Sequence, residues 1–288
     1  MSIERSEGRL AGEFRAPRNL HAQSRGSIHN DAVATKLGFR GGTVAGIIHH
    51  EQFAPLMLAA FGQRWFETGG LSLYYTQAST DSEPVQAFAG TPMSDAGDAQ
   101  IRVWMQHNTG YKVLEGTASI GRPDARSHVR ERFDARREAG KTTILAAIEP
   151  GTLMEAVPAR LSSAEQQSRR AVITEPLDWY WGASPWGGTI CTPVTMFRLL
   201  NAGLRLRGAW GRAVGLYGAI EINVRKGPLF VEHDYIVQGR ILAKGETPKS
   251  EYLWWESRLH DAATGDEVAD MLMMNRVMKG SAELLQVG

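Results

Sequence analysis

The sequence predicts an α+β protein built from two similar units in tandem, each an antiparallel β-sheet wrapped around one central helix. The first observation is a repeated segment, since Gly41-Gly42-Thr43-Val44 returns 146 residues later as Gly187-Gly188-Thr189-Ile190. The second is that an apolar stretch follows each copy, and the third is that strand-like segments then follow in the same order. A repeated order of features indicates duplication more strongly than a glycine pair alone.

Each apolar stretch has the spacing of a helix. Apolar residues recur mainly at three- and four-residue intervals, as they do on the buried face of a helix. They are Val44, Ile47, Ile48, Phe53, Leu56, Met57 and Ala60 in the first stretch, and Ile190, Val194, Phe197, Leu200, Leu204 and Leu206 in the second. Gly62 and Gly208 lie where the two predicted helices end.

The segments after each predicted helix suit β-strands. Residues 70–75 match residues 215–220, and both are rich in residue types that favour strands. Further strands and hairpin turns are predicted in matching pairs, at Pro84 and Pro228 and at Thr109-Gly110 and Thr264-Gly265. A single antiparallel sheet that buries one apolar helix must curl around it, which gives the predicted fold of each unit.

The chain divides into a first unit over residues 1–123, a linker over residues 124–150 and a second unit over residues 151–288. The linker interleaves arginine with acidic residues from Arg126 to Glu138. This pattern is typical of a solvated connecting helix, with a charged binding tail as the alternative.

Composition excludes several classes of protein. With 32 basic and 31 acidic residues, the net charge of +1 gives no electrostatic reason to expect nucleic acid as a partner. The first ten residues are polar and charged, and no apolar run approaches the ~20 residues of a membrane span, so we expect neither a secretory signal nor a membrane partner. The single cysteine, Cys191, fits a reducing compartment, and we expect a cytoplasmic protein.

Candidate catalytic residues precede the first glycine pair. His29 and Asp31 are two residues apart, so in extended or turn structure both can point into one cleft. Gly41 and Gly42, before a predicted helix, let a ligand approach the N–H groups at the helix start. This combination suits acyl-thioester chemistry, in which an enolate-like oxygen needs donors and histidine serves as acid or base near neutral pH. Capping of a short helix is the alternative role of Asp31.

The order Ile28-His29-x-Asp31-x-x-Ala34-x-x-x-Gly38-Phe39-x-Gly41 resembles the MaoC-like (R)-specific enoyl-CoA hydratases and dehydratases. The resemblance extends over about residues 10–88 and implies a double hot-dog fold, a CoA or carrier-protein thioester as substrate, and no bound cofactor. His29 matches the histidine of that family. Ser24 stands where the family has a catalytic aspartate, and its hydroxyl can hold a water molecule but cannot act as a base near neutral pH.

The first predicted helix carries a second set of candidates. Hot-dog thioesterases of another branch have an acidic residue about eight positions after the first glycine of such a pair, which corresponds here to His49, with Glu51 two positions further on. A histidine or glutamate there can activate water against a thioester. The alternative is that His49 packs with its ring bonded to backbone groups. No further ligands complete a helical His/Glu pair, so no metal is expected.

In the second unit, Glu175 occupies the position equivalent to His29, and Glu175 or Asp178 is the candidate to supply the carboxylate that Ser24 replaces. Cys191 is expected to be a buried small hydrophobe. The leading function is hydration or dehydration of an acyl thioester. Thioester hydrolysis by His49 or Glu51 and non-catalytic acyl binding are the alternatives. A homodimer is also plausible, because the sheets would otherwise keep free edges.

Overall fold

The computed structural model describes residues 3–6, 8–92, 97–136, 140–173, 177–201 and 210–284. In this part of the chain, eleven strands form one sheet in the order β1-β2-β4-β5-β6-β3-β8-β11-β10-β9-β7. The strands are β1 (Glu4–Ser6), β2 (Arg9–Ala11), β3 (Gly69–Tyr75), β4 (Val85–Gly90), β5 (Ala99–His107), β6 (Lys112–Ile120), β7 (Val157–Ala159), β8 (Gly215–Val224), β9 (Tyr235–Glu246), β10 (Ser250–Asp261) and β11 (Glu267–Met278).

The strand order confirms the predicted tandem of two units. Inside the short edge strand β1, the first unit runs β2-β4-β5-β6-β3 towards the centre of the sheet. The second runs β7-β9-β10-β11-β8 from the other edge, which is the same arrangement in chain order. The inner strands β3 and β8 pair antiparallel, from Gly70 opposite Asn223 to Tyr74 opposite Ala219. The two units therefore share one continuous sheet.

The second-unit strand predicted from Pro228 begins later than expected, at Tyr235. Residues 229–231 bond instead to the segment before the second central helix, with the Cys191 N–H donating to the Leu229 carbonyl and the Val231 N–H to the Thr189 carbonyl. Both hairpin turns lie where they were predicted, between β5 and β6 and between β10 and β11.

The single helix predicted in the first unit is divided into a 3₁₀ helix, Gly46–Gln52, and an α-helix, Ala54–Phe61. The helices are α1 (Asp31–Lys36), a 3₁₀ helix (Gly46–Gln52), α2 (Ala54–Phe61), α3 (Arg64–Thr68), α4 (His128–Asp134), α5 (Ser163–Gln167), a short 3₁₀ helix (Asp178–Tyr180), α6 (Pro193–Leu200) and α7 (Ser281–Leu284). Pro55 lies in the first turn of α2 and has no N–H to donate to the Glu51 carbonyl, so a continuous α-helix cannot pass this point. The equivalent helix α6 likewise begins at a proline, Pro193.

Helix α4 lies in the predicted linker over residues 124–150, and its Glu131, Arg132 and Asp134 are exposed, as in the predicted solvated connecting helix, whereas Val129 is buried against the sheet. Side chains alternate across a strand, so Leu71 and Leu73 of β3 face the central helices while Ser72 faces the opposite side of the sheet. There the Ser72 hydroxyl accepts the Val129 N–H of α4, and Arg130 pairs with the buried Glu221 at 2.8 Å. Helix α4 therefore packs on the face of the sheet opposite the central helices, where β3 of the first unit pairs with β8 of the second.

The two hydrophobic cores are interlocked. Ala45 and Ile47 of the first unit belong to the core cluster of the second, and Tyr180 and Ile190 of the second belong to that of the first. The division at residues 123 and 150 remains a prediction, since each unit completes the other's core. Within the described residues, no helix combines the length and apolarity needed to cross a bilayer.

Candidate functional site

The side chains of the 3₁₀ helix Gly46–Gln52 face three different parts of the structure. A 3₁₀ helix has three residues per turn, so side chains three positions apart lie on the same side. Gly46 and His49 line a pocket between the two units, which we call the inter-unit pocket. Ile48 and Glu51 line a groove on another side, and His50 lines a small apolar cavity between the two cores.

The inter-unit pocket has a volume of about 510 Å³. Its wall combines residues from both units, among them Thr43, His49, Tyr75 and Ser79 from the first and Tyr217, Lys249 and Arg276 from the second. The described lining contains no aspartate or glutamate. Proton transfer inside it therefore depends on histidine, hydroxyl and ammonium groups.

His49 is the buried titratable group of this wall. Its Nε2 lies 3.0 Å from the Ser79 hydroxyl oxygen, and both residues are almost fully buried. Burial lowers the pKa of His49 to about 4, so its imidazole is neutral at pH 7. A neutral imidazole next to a hydroxyl has the arrangement of a base beside the proton that it takes.

Three buried polar atoms near this point have no hydrogen-bond partner among the described residues. They are His49 Nδ1, His50 Nε2 and the Tyr75 hydroxyl. Burial raises the pKa of Tyr75 well above its ordinary value, so the hydroxyl keeps its proton and remains a donor. Buried polar groups are nearly always satisfied, and exceptions are often explained by a catalytic role or a bound water.

His29 and Asp31 lie behind one wall of the pocket. The Thr43 carbonyl can only accept, so His29 Nδ1, 2.6 Å away, carries the proton and donates it. Thr43 lines the inter-unit pocket, whereas His29 is absent from its described lining. Asp31 accepts the Gly42 N–H at 2.6 Å, and Asn30 rather than Asp31 caps α1, which settles the alternative role of Asp31.

The glycine pair does not begin a helix, contrary to prediction. Gly41 and Gly42 precede an extended segment. The 3₁₀ helix begins at Gly46, and Ala45, with extended backbone, is its N-cap residue. The Gly42 N–H is bonded to Asp31 and so is not available to a ligand in this arrangement. The pair is instead required by close packing, because a Cβ on Gly42 would overlap the His29 carbonyl oxygen.

Gly42→Ala is expected to lower the free energy of unfolding by about 1–3 kcal/mol, since backbone atoms of the His29 turn must move. Gly41→Ala is the matched control. A Cβ there meets its nearest atom, an oxygen of the Asp31 carboxylate, at 3.3 Å, and a side chain can adjust. Urea denaturation of both variants measures the difference. Equal losses would contradict the assigned packing.

The remaining candidates are dispersed. Ser24 is half-buried in the turn before His29, and its N–H donates to the His21 carbonyl. Glu51 pairs with Arg169 at 3.0 Å and accepts from Thr192 at 3.3 Å, which links the two units away from the inter-unit pocket. Asp178 is exposed at the start of the short 3₁₀ helix, and Glu175 lies outside the described residues.

The second unit repeats the backbone of the site without its polar side chains. The Val44 N–H donates to the Ser79 carbonyl, and the Cys191 N–H donates to the Leu229 carbonyl in the same way. These bonds match Val44 with Cys191, one residue out of step with the glycine repeat, which aligns Val44 with Ile190. By the same bonds Leu229 takes the place of Ser79, and it lines the small apolar cavity.

Cys191 is fully buried, as predicted, and burial raises the pKa of its thiol. Sequence reasoning had no candidate role for Ser79 or Tyr75. The sequence repeat does not align Ser79 with Leu229, and only the matching backbone hydrogen bonds of the folded chain relate these two residues. In the described parts of the chain, no group of three His, Cys, Asp or Glu side chains is placed to hold a metal ion.

Solved structures with the same fold are found over nearly the whole chain. A protein described as a MaoC-domain dehydratase from Chloroflexus aurantiacus J-10-fl has a TM-score of 0.61 at 13% identity, with 94% of this chain and 95% of that chain covered. A MaoC-like dehydratase has a TM-score of 0.53 at 12% identity, with 93% and 97% covered. A conserved hypothetical protein from Mycobacterium tuberculosis that has a double hot-dog fold has a TM-score of 0.52 at 12% identity, with 93% and 96% covered.

Neither a protein-family model nor the sequence of a curated protein matches this chain. The structural likeness, at this low identity, is a likeness of fold. It confirms the predicted double hot-dog, in which each sheet wraps around the helix of its unit.

Proposed function

We propose that this protein acts on an acyl thioester in the inter-unit pocket, hydrating an enoyl thioester or dehydrating the corresponding 3-hydroxyacyl thioester. The fold supports the proposal because two proteins that share it are described as dehydratases. The pocket supports it because the volume and partly apolar wall suit an acyl chain. Lys249 and Arg276, in the second-unit wall, suit the phosphates of CoA or of a carrier-protein prosthetic group.

The observation that carries the proposal is the neutral, buried His49 in a wall whose described residues include no carboxylate. Hydration needs a base to take a proton from water as its oxygen bonds to C3, and an acid to protonate C2. The imidazole of His49 can take the first proton and return it in the second step. Tyr75 offers a protonated hydroxyl that can donate to the thioester carbonyl oxygen as it gains charge.

His29 has the role of a positioning residue in this proposal. Its bond to the Thr43 carbonyl holds the segment that runs from Thr43 into the 3₁₀ helix and so helps to place His49. Asp31 fixes the same segment through the Gly42 N–H. Ser24 lies in the preceding turn, outside the described lining of the inter-unit pocket, and this proposal gives it no role.

His49→Gln is expected to lower kcat/KM for crotonyl-CoA hydration by about 10²–10⁴-fold, because general acid–base catalysis contributes that much. His29→Gln is the matched variant and is expected to cost less, since its side chain acts through Thr43. Loss of the enoyl absorbance measures both. A profile of kcat/KM against pH should fall on the acid side near pH 4, where His49 becomes protonated and ceases to be a base.

If His29→Gln were inactive and His49→Gln active, His29 rather than His49 would be the catalytic residue. Saturable binding of acyl-CoA without turnover would instead support a non-catalytic acyl-binding protein. Circular dichroism of each variant establishes that any loss of turnover is not a loss of folding.

A further inference from the structure

Ser79 and His49 have the geometry of a nucleophile and its base. The hydroxyl oxygen lies 3.0 Å from Nε2, within the 2.6–3.2 Å expected for such a pair. The imidazole is neutral and can accept the hydroxyl proton. A hydration reaction has no need of a serine at this place, because its base acts on water.

The backbone around Ser79 is fixed from both sides. Its carbonyl accepts the Val44 N–H at 2.9 Å, and the adjacent Thr80 forms a β-bridge with Thr43. The Thr80 N–H is in turn held by the Glu83 carboxylate at 2.8 Å. A nucleophile held on rigid backbone loses little freedom when it reacts, which favours attack on a bound thioester.

We infer that Ser79 accepts the acyl group of a thioester, so that the inter-unit pocket also hydrolyses thioesters through an acyl-serine intermediate. This inference rests on the proposed function in one respect, the binding of an acyl thioester in that pocket.

The steps balance without a further co-reactant. As the Ser79 oxygen bonds to the carbonyl carbon, its proton passes to His49 Nε2. The carbon–sulfur bond then breaks, and the thiolate leaves with that proton as a free thiol. Water then adds to the carbonyl carbon of the serine ester and gives one proton to His49 Nε2. The bond between that carbon and the Ser79 oxygen breaks, the serine oxygen takes the proton back from His49, and the carboxylic acid is released.

The second unit provides an internal comparison. The Leu229 carbonyl accepts the Cys191 N–H as the Ser79 carbonyl accepts the Val44 N–H, and a leucine side chain can neither transfer a proton nor attack a carbonyl. Covalent acylation is therefore expected at one serine of the chain, in the first unit, rather than at equivalent positions in both.

Butyryl-CoA is the probe of choice, because a saturated thioester cannot be hydrated and reports only on acyl transfer. Purified full-length protein is mixed with butyryl-CoA, quenched in acid and analysed by intact mass and by peptide mapping, while release of free thiol is followed in parallel. We expect one butyryl group on Ser79 and thiol release that falls at least about 100-fold in Ser79→Ala and in His49→Gln.

An acyl-enzyme that hydrolyses too rapidly to be isolated is detected by how its acyl group divides between water and hydroxylamine. With hydroxylamine present, butyryl-CoA and butyryl-pantetheine should give the same ratio of hydroxamate to acid, since both pass through one acyl-enzyme. Ser79→Cys, which keeps the size of the side chain, should form a butyryl thioester that neutral hydroxylamine cleaves. Circular dichroism establishes that the Ser79 variants are folded.

Several results would overturn the inference. They are the absence of thiol release from the wild type, release that is unchanged in folded Ser79→Ala, and an adduct on another residue. The inference would also fail if the two thioesters gave different ratios of hydroxamate to acid and no adduct were found. Hydration of crotonyl-CoA is measured on the same preparation. Hydration without acylation leaves the proposed function standing and removes this inference, whereas failure of both thioesters to bind removes both.

Discussion

Arg169→Met is expected to lower the free energy of unfolding by about 3–5 kcal/mol, because it leaves the Glu51 carboxylate buried without its cation. The side chains of this pair are 12% and 9% exposed, and they join the two units. Arg198→Met is the matched control. Arg198 pairs with Glu165 at 2.5 Å, but the side chains are 49% and 40% exposed, so its loss should cost at most about 1 kcal/mol.

The loss in Arg169→Met should also depend on pH. Burial raises the pKa of Glu51, while the charge of Arg169 lowers it, so removing the arginine raises that pKa further. A carboxyl whose folded pKa exceeds its unfolded value gives most stability at low pH and loses it as pH rises. The deficit relative to wild type should therefore be larger at pH 8 than at pH 5.

Urea denaturation at both pH values measures the effect, with the double variant Glu51→Leu/Arg169→Met included. Removing both partners eliminates the unpaired buried charge, so the double variant should recover much of the lost stability. A double variant as unstable as Arg169→Met would mean that packing of the arginine, rather than pairing with Glu51, stabilises the junction.

Acidification from pH 7 to pH 4 is expected to destabilise the wild-type fold by about 3 kcal/mol for each of His49 and His50. Burial lowers the pKa of His49 to about 4 and that of His50 to about 3, against about 6.5 for an unfolded histidine. Below pH 6.5 the unfolded chain therefore binds more protons than the folded one. The stability from these neutral rings is present above pH 6.5 and is lost as pH falls.

His50→Leu removes one of the two buried histidines that titrate. The free energy of unfolding of this variant should therefore fall less steeply than that of the wild type as the pH decreases from 7 to 4. Thermal denaturation of the wild type and of His50→Leu between pH 4 and pH 7 measures the difference. A wild-type melting temperature that stays constant over this range would contradict the burial of the histidine pair as neutral rings.

Much of the architecture is predictable because duplication repeats short-range signals. The glycine pairs, the residues that suit β3 and β8, and the two hairpin turns recur in order, and the strand order follows them. The divided first helix has an equally local cause in Pro55. It was missed because apolar spacing over residues 44–60 fits a continuous α-helix and the 3₁₀ helix nearly as well.

The site was less predictable because its contacts join distant parts of the chain. His49 is a recognisable candidate on sequence, yet its partner Ser79 is thirty residues away and is placed by the loop after β3. Glu51 also looked like a catalytic group, and its partner Arg169 lies 118 residues away in the other unit. No short-range pattern distinguishes a carboxylate that reacts from one that joins two units.

The three-residue period of the helix at Gly46–Gln52 has a consequence for how this protein can change. His49, His50 and Glu51 are consecutive in sequence, but one faces the pocket, one the cavity and one the link to Arg169. A single inserted or deleted residue before His49 would rotate all three by about 120° and exchange their surroundings. Evolution can therefore alter the chemistry here by substitution at one position, while a change of length by one residue would disrupt pocket, core and unit junction together.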